Sequence, residues 1–396
     1  MCLFLLRCHS NLLRLLSYGI TCRVTLVFCL VAMTRQFPDN LDGICPAVIP
    51  CVCREEHSVS CSYKRLKNLP DFLVFDKVWN ELDISENFLD KLGCNGFLGV
   101  RALSLRLERN IISELEQGSF NGLDMLQILD LSHNSLRELP AWIFDRLTKL
   151  HTLRIQYNDL SALEEWSLAG IPQLYELDLS GNSFRAVPTA ALCKISNLKK
   201  LILRRNILHI ISPYAFYALS LDYLDLGSNR VALVIDPDAF CGLDPRVVGI
   251  ESGVIDWEGL TTLRLDHSGL VTLDPCITRR IWTLSELDIS GNPLHCDCSM
   301  FLLKDYGVKT VYPDAQCASP EPYAGLSLES IEPHMYHCKA QHGNNSRSCQ
   351  TSLCQNKDDI HLICTSSSNA ICASLLLIMI NLTSSFVFLL FTKNTV

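Results

Sequence analysis

The residues of this chain best placed to do chemistry are its cysteines, 20 in 396 residues. Four gather as Cys45-x5-Cys51-x-Cys53-x7-Cys61. Four more are Cys296, Cys298, Cys317 and Cys338, introduced by Asn292-Pro-Leu-His-Cys-Asp-Cys. Thiols grouped in this way either bind a metal or oxidise to disulfides. Structural zinc sites usually leave two to four residues between close cysteines, whereas each close pair here has one. We therefore expect no metal and read the clusters as disulfides formed in an oxidising compartment. Other chemistry finds no footing. Gly249-Ile-Glu-Ser252-Gly has the wrong spacing for a nucleophile elbow, and zincin, phosphate-loop and dinucleotide motifs are missing. The 11 histidines are scattered, with His133 and His267 at strand ends. The expectation is a protein that is not an enzyme and needs no cofactor. A net charge of −8 and a pI near 5.8 argue against a nucleic-acid partner. The basic cluster Lys199, Lys200, Arg204 and Arg205 is offset by Glu176, Asp178, Asp222 and Asp225 on adjacent strands.

The segment between the two cysteine clusters has a period. Asn110, Asn134, Asn158, Asn182 and Asn206 follow one another at a single constant interval. Each closes a frame whose clearest copy is Leu126-x-x-Leu129-x-Leu131-x-x-Asn134-x-Leu136. Nine copies align, from Trp79/Leu82/Ile84/Asn87 to Leu284/Leu287/Ile289/Asn292. A period of this size implies stacked coils rather than a closed globule. The Leu-x-Leu alternation has the two-residue period of a short strand, so its leucines point inward and the intervening residues outward. One such coil cannot bury its own apolar row, and neighbours must stack about 4.8 Å apart. Each Asn ends a strand, where its amide can bond backbone groups left over by the turn. A second register, Phe120, Phe144, Leu168, Leu192, Phe216 and Phe240, repeats at the same interval and reads as an apolar spine on the convex side. Ser268 stands where the eighth Asn belongs, well over one interval after Asn229. The surplus falls in about 244–258 and predicts a protruding loop, which could touch a ligand but reads more simply as decoration.

These repeats, and the cysteine clusters flanking them, resemble the extracellular leucine-rich repeat family over about two thirds of the chain. The resemblance implies an α/β-type solenoid: a horseshoe with a parallel concave sheet, about nine repeats and disulfide-bonded caps. It implies the pairs Cys45–Cys53, Cys51–Cys61, Cys296–Cys317 and Cys298–Cys338. The organisation is then an amino-terminal cap at 45–70, repeats at 79–294 and a carboxy-terminal cap at 295–338. Among the remaining cysteines, Cys241 and Cys276 lie on consecutive coils and can pair around the inserted loop. Cys193 and Cys241 are two coils apart, beyond disulfide reach, and Cys94 and Cys193 read as buried thiols.

Both ends point to export. Arg23 followed by the apolar run Val24–Met33 predicts a signal peptide over 1–33. The uncharged run 370–391 is long enough to span a bilayer, yet Asn381, Thr383, Ser384 and Ser385 lie near its centre. It therefore reads as either a transmembrane helix or a glycolipid-anchor signal. Between cap and run, 339–369 reads as a stalk with a glycosylation acceptor at Asn344. Cys349, Cys354, Cys364 and Cys372, there or just beyond, are free to pair with one another or with another chain.

The central outward residue of each strand runs Asp83, Arg106, Asp130, Arg154, Asp178, Ile202, Asp225, Arg264, Asp288. The alternating sign suggests a lateral charge ladder, with each exposed pair worth only about 0.2–1 kcal/mol. Aromatic and arginine side chains dominate binding hot spots. The candidate contact patch is accordingly Arg154, Tyr157, Tyr175, Lys200, Ile202, Arg204 and Tyr223. The expected function is that of a membrane-attached receptor or adhesion protein facing the extracellular side. It binds an extracellular or cell-surface protein on its concave face and transduces only through a co-receptor. In plan it is similar to Nogo-receptor-type proteins. The alternative is a secreted matrix protein of the small-proteoglycan type.

Overall fold

The computed structural model describes residues 50–331, apart from 55–56, 71–77, 230–231, 244–245, 252–253, 275–276, 278–280, 282, 298–299, 301–309 and 312–313. The leader, Cys45, Cys276, Cys298, Cys338, Asn344, the stalk and the run at 370–391 lie outside the described residues. The chain is a parallel-sheet solenoid. A 12-stranded sheet runs in chain order, opening with an antiparallel pair, Val52–Arg54 on Ser58–Ser60, and continuing in parallel to Thr310–Val311. Its nine repeat strands are Trp79–Asp83, Ala102–Arg106, Ile128–Asp130, Thr152–Arg154, Glu176–Asp178, Lys200–Ile202, Tyr223–Asp225, Thr262–Arg264 and Glu286–Asp288. They are called here the first to ninth coils. The register is the one the frame predicts, for example Leu129 opposite Leu153 and Leu153 opposite Leu177.

The repeat builds this architecture through burial. In the third coil Leu126, Leu129, Leu131 and Leu136 are fully buried, and each such side chain contributes about 1.5–3 kcal/mol of transfer free energy. The second register is buried throughout. The Phe120 and Phe144 rings stack with centroids 5.7 Å apart, as do those of Phe216 and Phe240. Phe97 extends the spine by one coil.

Each asparagine stitches two coils. Asn158 Nδ2 donates to Ile155 O of its own coil at 3.1 Å and to Leu131 O of the preceding one at 3.0 Å. Its Oδ1 accepts from Leu136 N at 3.0 Å. Asn110, Asn134, Asn182 and Asn206 repeat the arrangement. In the eighth coil Ser268 Oγ still reaches back to Leu226 O at 3.1 Å. The residue just before each asparagine, or before Ser268, has a positive φ of 51–63° in all nine coils: Glu86, Arg109, His133, Tyr157, Gly181, Arg205, Ser228, His267 and Gly291.

The insertion between coils seven and eight contains an antiparallel hairpin, Arg246–Glu251 on Val254–Glu258. Disulfides join Cys51 to Cys61 and Cys296 to Cys317. Cys53 and Cys241 are also disulfide-bonded. So are Cys94 and Cys193, which corrects their reading as buried thiols. The coil-spacing argument excluded only a Cys193–Cys241 pair and left every other partner open. Among the described residues no group of side chains could hold a metal, and no helix is long and apolar enough to cross a membrane.

Candidate functional site

The outward residues of the sheet fall in columns one strand spacing apart. The central column is in the expected register, with Asp83 opposite Arg106, Arg106 opposite Asp130, and Arg154 between Asp130 and Asp178. Its contacts differ from a lateral charge ladder, and that expectation is corrected. Asp83, Asp130, Asp178 and Asp288 turn along their own chain and accept the backbone N–H of Ser85, Ser132, Ser180 and Ser290 at 2.9–3.1 Å. Asp225 does the same with Gly227 N. A short acidic side chain at a strand end is closer to the N–H two residues on than to a neighbouring coil, so the local bond wins.

The cations find other partners. Arg106 is paired with Glu81 at 3.2 Å and with Glu108, whose hydrogen bond holds the guanidinium above its ordinary value. Lys199 lies 3.9 Å from Asp222, and Lys200 lies 3.2 Å from Glu176. Arg204 does not meet a carboxylate in the next coil alone. It reaches over the seventh coil to form a two-pronged bridge with Asp266, both contacts at 2.7 Å, and also lies 3.5 Å from Asp225. This bridge passes directly above Gly227. A Cβ on that glycine would meet Asp266 Oδ1 at 2.4 Å and Arg204 Nη1 at 2.5 Å.

The local charges follow. Burial pushes the Asp225 carboxyl up, against the Gly227 N–H and the Arg204 charge. Burial alone would raise Asp266 too, but the hydrogen bonds from Arg204 and His267 bring it below the usual carboxylate range. Burial also raises Asp178 and the Tyr223 hydroxyl.

The rim beyond the strand ends has its own contacts. Tyr157 stacks on His133 with centroids 4.5 Å apart and accepts a hydrogen bond from Arg205 Nη1 at 2.8 Å, again across a glycine, Gly181. Arg109 pairs with Glu86 at 3.3 Å.

The seven candidate residues therefore fall into two groups. Lys200, Ile202, Arg204 and Tyr223 sit on adjacent strands, with Lys200 Nζ 5.6 Å from the Tyr223 ring centroid. Arg154 and Tyr157 belong to the fourth coil, separated from them by the fifth, where Tyr175 precedes the strand and is 52% exposed. Sequence reasoning missed Asp266 and Gly227, and it left Arg264 and the two neighbours of Tyr157, His133 and Arg205, out of the candidate patch. The bridging acid lies 62 residues beyond Arg204 because the insertion intervenes. Alignment of Asp266 with the outward position of Arg204 was the signal available.

Comparisons with known proteins agree with this architecture. Residues 103–160 and 172–231 match the leucine-rich repeat family model, and 314–339 match the leucine-rich repeat C-terminal domain. A relative from Danio rerio, "Leucine-rich repeat-containing protein 3", is 36% identical over 102 residues, covering 24% of this chain and 38% of its own length. "Leucine-rich repeat-containing G-protein coupled receptor 5A" from Xenopus laevis is 33% identical over 128 residues, 30% of this chain and 14% of that receptor. The matches thus span less than half of these relatives. The solved structure of a TLR13–ssRNA13 complex superposes with a TM-score of 0.52 at 23% identity, over 65% of this chain and 40% of that one, a likeness of fold alone.

Proposed function

We propose that this chain, a leucine-rich repeat protein with a carboxy-terminal cap, is a membrane-attached extracellular receptor or adhesion protein that binds a protein ligand on its concave face. The observation that carries this reading is the composition of the sheet over coils four to eight. Exposed Tyr157 and Tyr175 lie on the fourth and fifth coils, and Tyr223, on the seventh, is flanked by Lys200 and Arg264. Aromatic rings and arginines held by their neighbours supply contact area at little ordering cost, which suits a protein interface. Mixed charge over the same face favours specific docking over capture of polyanions. Attachment through 370–391, a carbohydrate at Asn344 and signalling through a co-receptor belong to the same proposal.

The test is to display the full chain on cells and probe it with a panel of secreted and cell-surface ectodomains. A ligand found in this way is expected to lose at least tenfold in affinity for the Arg154→Ala/Ile202→Ala/Tyr223→Ala variant at equal surface level. Undiminished binding removes the concave patch. Recovery of the chain from washed membranes supports attachment, and release by a phospholipase specific for glycolipid anchors identifies its kind. Recovery from the medium alone favours the secreted matrix reading.

A further inference from the structure

The cations of the concave sheet are satisfied unequally. Arg106, Arg109, Lys200 and Arg204 each have a carboxylate partner, and Arg264 lies 6.0 Å from the Tyr223 ring centroid. Arg154, in the centre of the fourth strand, differs. Among the described residues its half-buried guanidinium makes no hydrogen bond, ion pair or ring contact. Its lateral neighbours Asp130 and Asp178 have turned to Ser132 N and Ser180 N. Two residues on, and on the same face of the strand, Gln156 Oε1 is buried and has no hydrogen-bond partner. A buried polar atom left unpaired costs about 1–3 kcal/mol. An incoming group of the right polarity would relieve that cost.

The chemistry of the two side chains specifies the group. A guanidinium only donates and the glutamine oxygen only accepts. The complement is therefore an acceptor and a donor side by side. A carboxylate offers acceptors alone. It would leave Gln156 Oε1 unpaired and add a third negative charge on the strands where Asp130 and Asp178 already flank the one guanidinium. An ammonium would oppose Arg154. A neutral amide meets both demands, its C=O receiving from Arg154 and its N–H donating to Gln156 Oε1. The stacked His133–Tyr157 pair lines the same coils at the rim. No Asn-x-Ser/Thr acceptor occurs within residues 79–294, so no N-linked glycan is attached to the repeats themselves. Resting on the concave docking reading, we infer that the fourth coil is an amide-recognition subsite, with Arg154 and Gln156 reading one exposed amide of a partner's polypeptide loop.

Panning a display library of cyclic peptides on the immobilised full-length chain tests this. Enriched peptides are expected to lose at least tenfold in affinity on Arg154→Met and on Gln156→Met, while both variants keep the wild-type thermal midpoint or exceed it. If the amide is a side chain, changing the peptide's Asn or Gln to Asp or Glu abolishes binding. If it is main chain, N-methylation of one residue does so. Peptides that ignore both Met variants but fail on Tyr223→Ala overturn the subsite and leave concave docking standing. Peptides indifferent to all three variants overturn the docking reading itself. Enrichment of peptides whose contact residue is acidic, or displacement by free N-acetylglucosamine, also overturns the assignment to a polypeptide amide.

Discussion

Coils three to six and coils seven to eight solve the same stacking problem by different means. In the first stretch every repeat has the same length, and the asparagine amides carry the contacts between coils. Across the insertion the asparagine gives way to Ser268, whose hydroxyl replaces only part of that stitching. There, charged side chains take over, through the Arg204–Asp266 bridge above Gly227. Where the backbone is tied by buried amides, outward side chains such as Arg154 remain uncommitted. Where the repeat is interrupted, an arginine on the binding face is consumed in holding the array together. The interruption thus withholds Arg204 from a ligand, whereas in the regular stretch Lys200 and Arg205 are held by Glu176 and Tyr157 and Arg154 is not.

Three comparisons sharpen this contrast. The largest effect is expected in the regular stretch. Asn158→Leu strands Leu136 N and takes one of two amide donors from each of Leu131 O and Ile155 O, which keep Asn134 and Asn182, and should cost about 3–5 kcal/mol in chemical denaturation. The equivalent loss at Ser268→Ala should be markedly smaller, and equal costs would erase the distinction. Next comes Gly227→Ala, which forces the bridge apart and should cost about 1–3 kcal/mol. Gly93→Ala, where the nearest atom is 3.8 Å away, serves as the benign control.

The smallest effect is a pH dependence. Asp266 has its folded-state value below the unfolded one, so its contribution is present above the ordinary carboxylate range and lost as pH falls through the folded value. Asp178 and Asp225 are raised instead, so protonating them on acidification relieves a cost. A denaturation series from pH 6 downward should show wild type losing stability at the acid end. Arg204→Met should flatten that loss, and an unaltered profile in the variant would contradict the bridge's role.

Much of this was legible in advance, because the strand frame and the buried spine rest on local periodicity. The offset of the basic cluster by acids on adjacent strands was legible too, and the structure resolves it into Lys199 with Asp222 and Lys200 with Glu176. The charge column was misread for a physical reason. Sequence spacing put opposite charges side by side, but an aspartate can satisfy itself two residues along its own chain. The Arg204–Asp266 bridge was hidden because the insertion breaks the period that would have aligned its ends. The disulfides of Cys94 and Cys193 were hidden because coil spacing excluded one pairing, Cys193 with Cys241, and specified no other.

The row of left-handed residues at the rim also limits what the protein can become. A β-branched side chain is a steric outlier at positive φ, and none of the nine coils carries valine, isoleucine or threonine there. Diversification of that edge, by natural drift or by a designer's library, is confined to glycine, asparagine and unbranched side chains. Its recognition vocabulary is written in long flexible arms and flat rings.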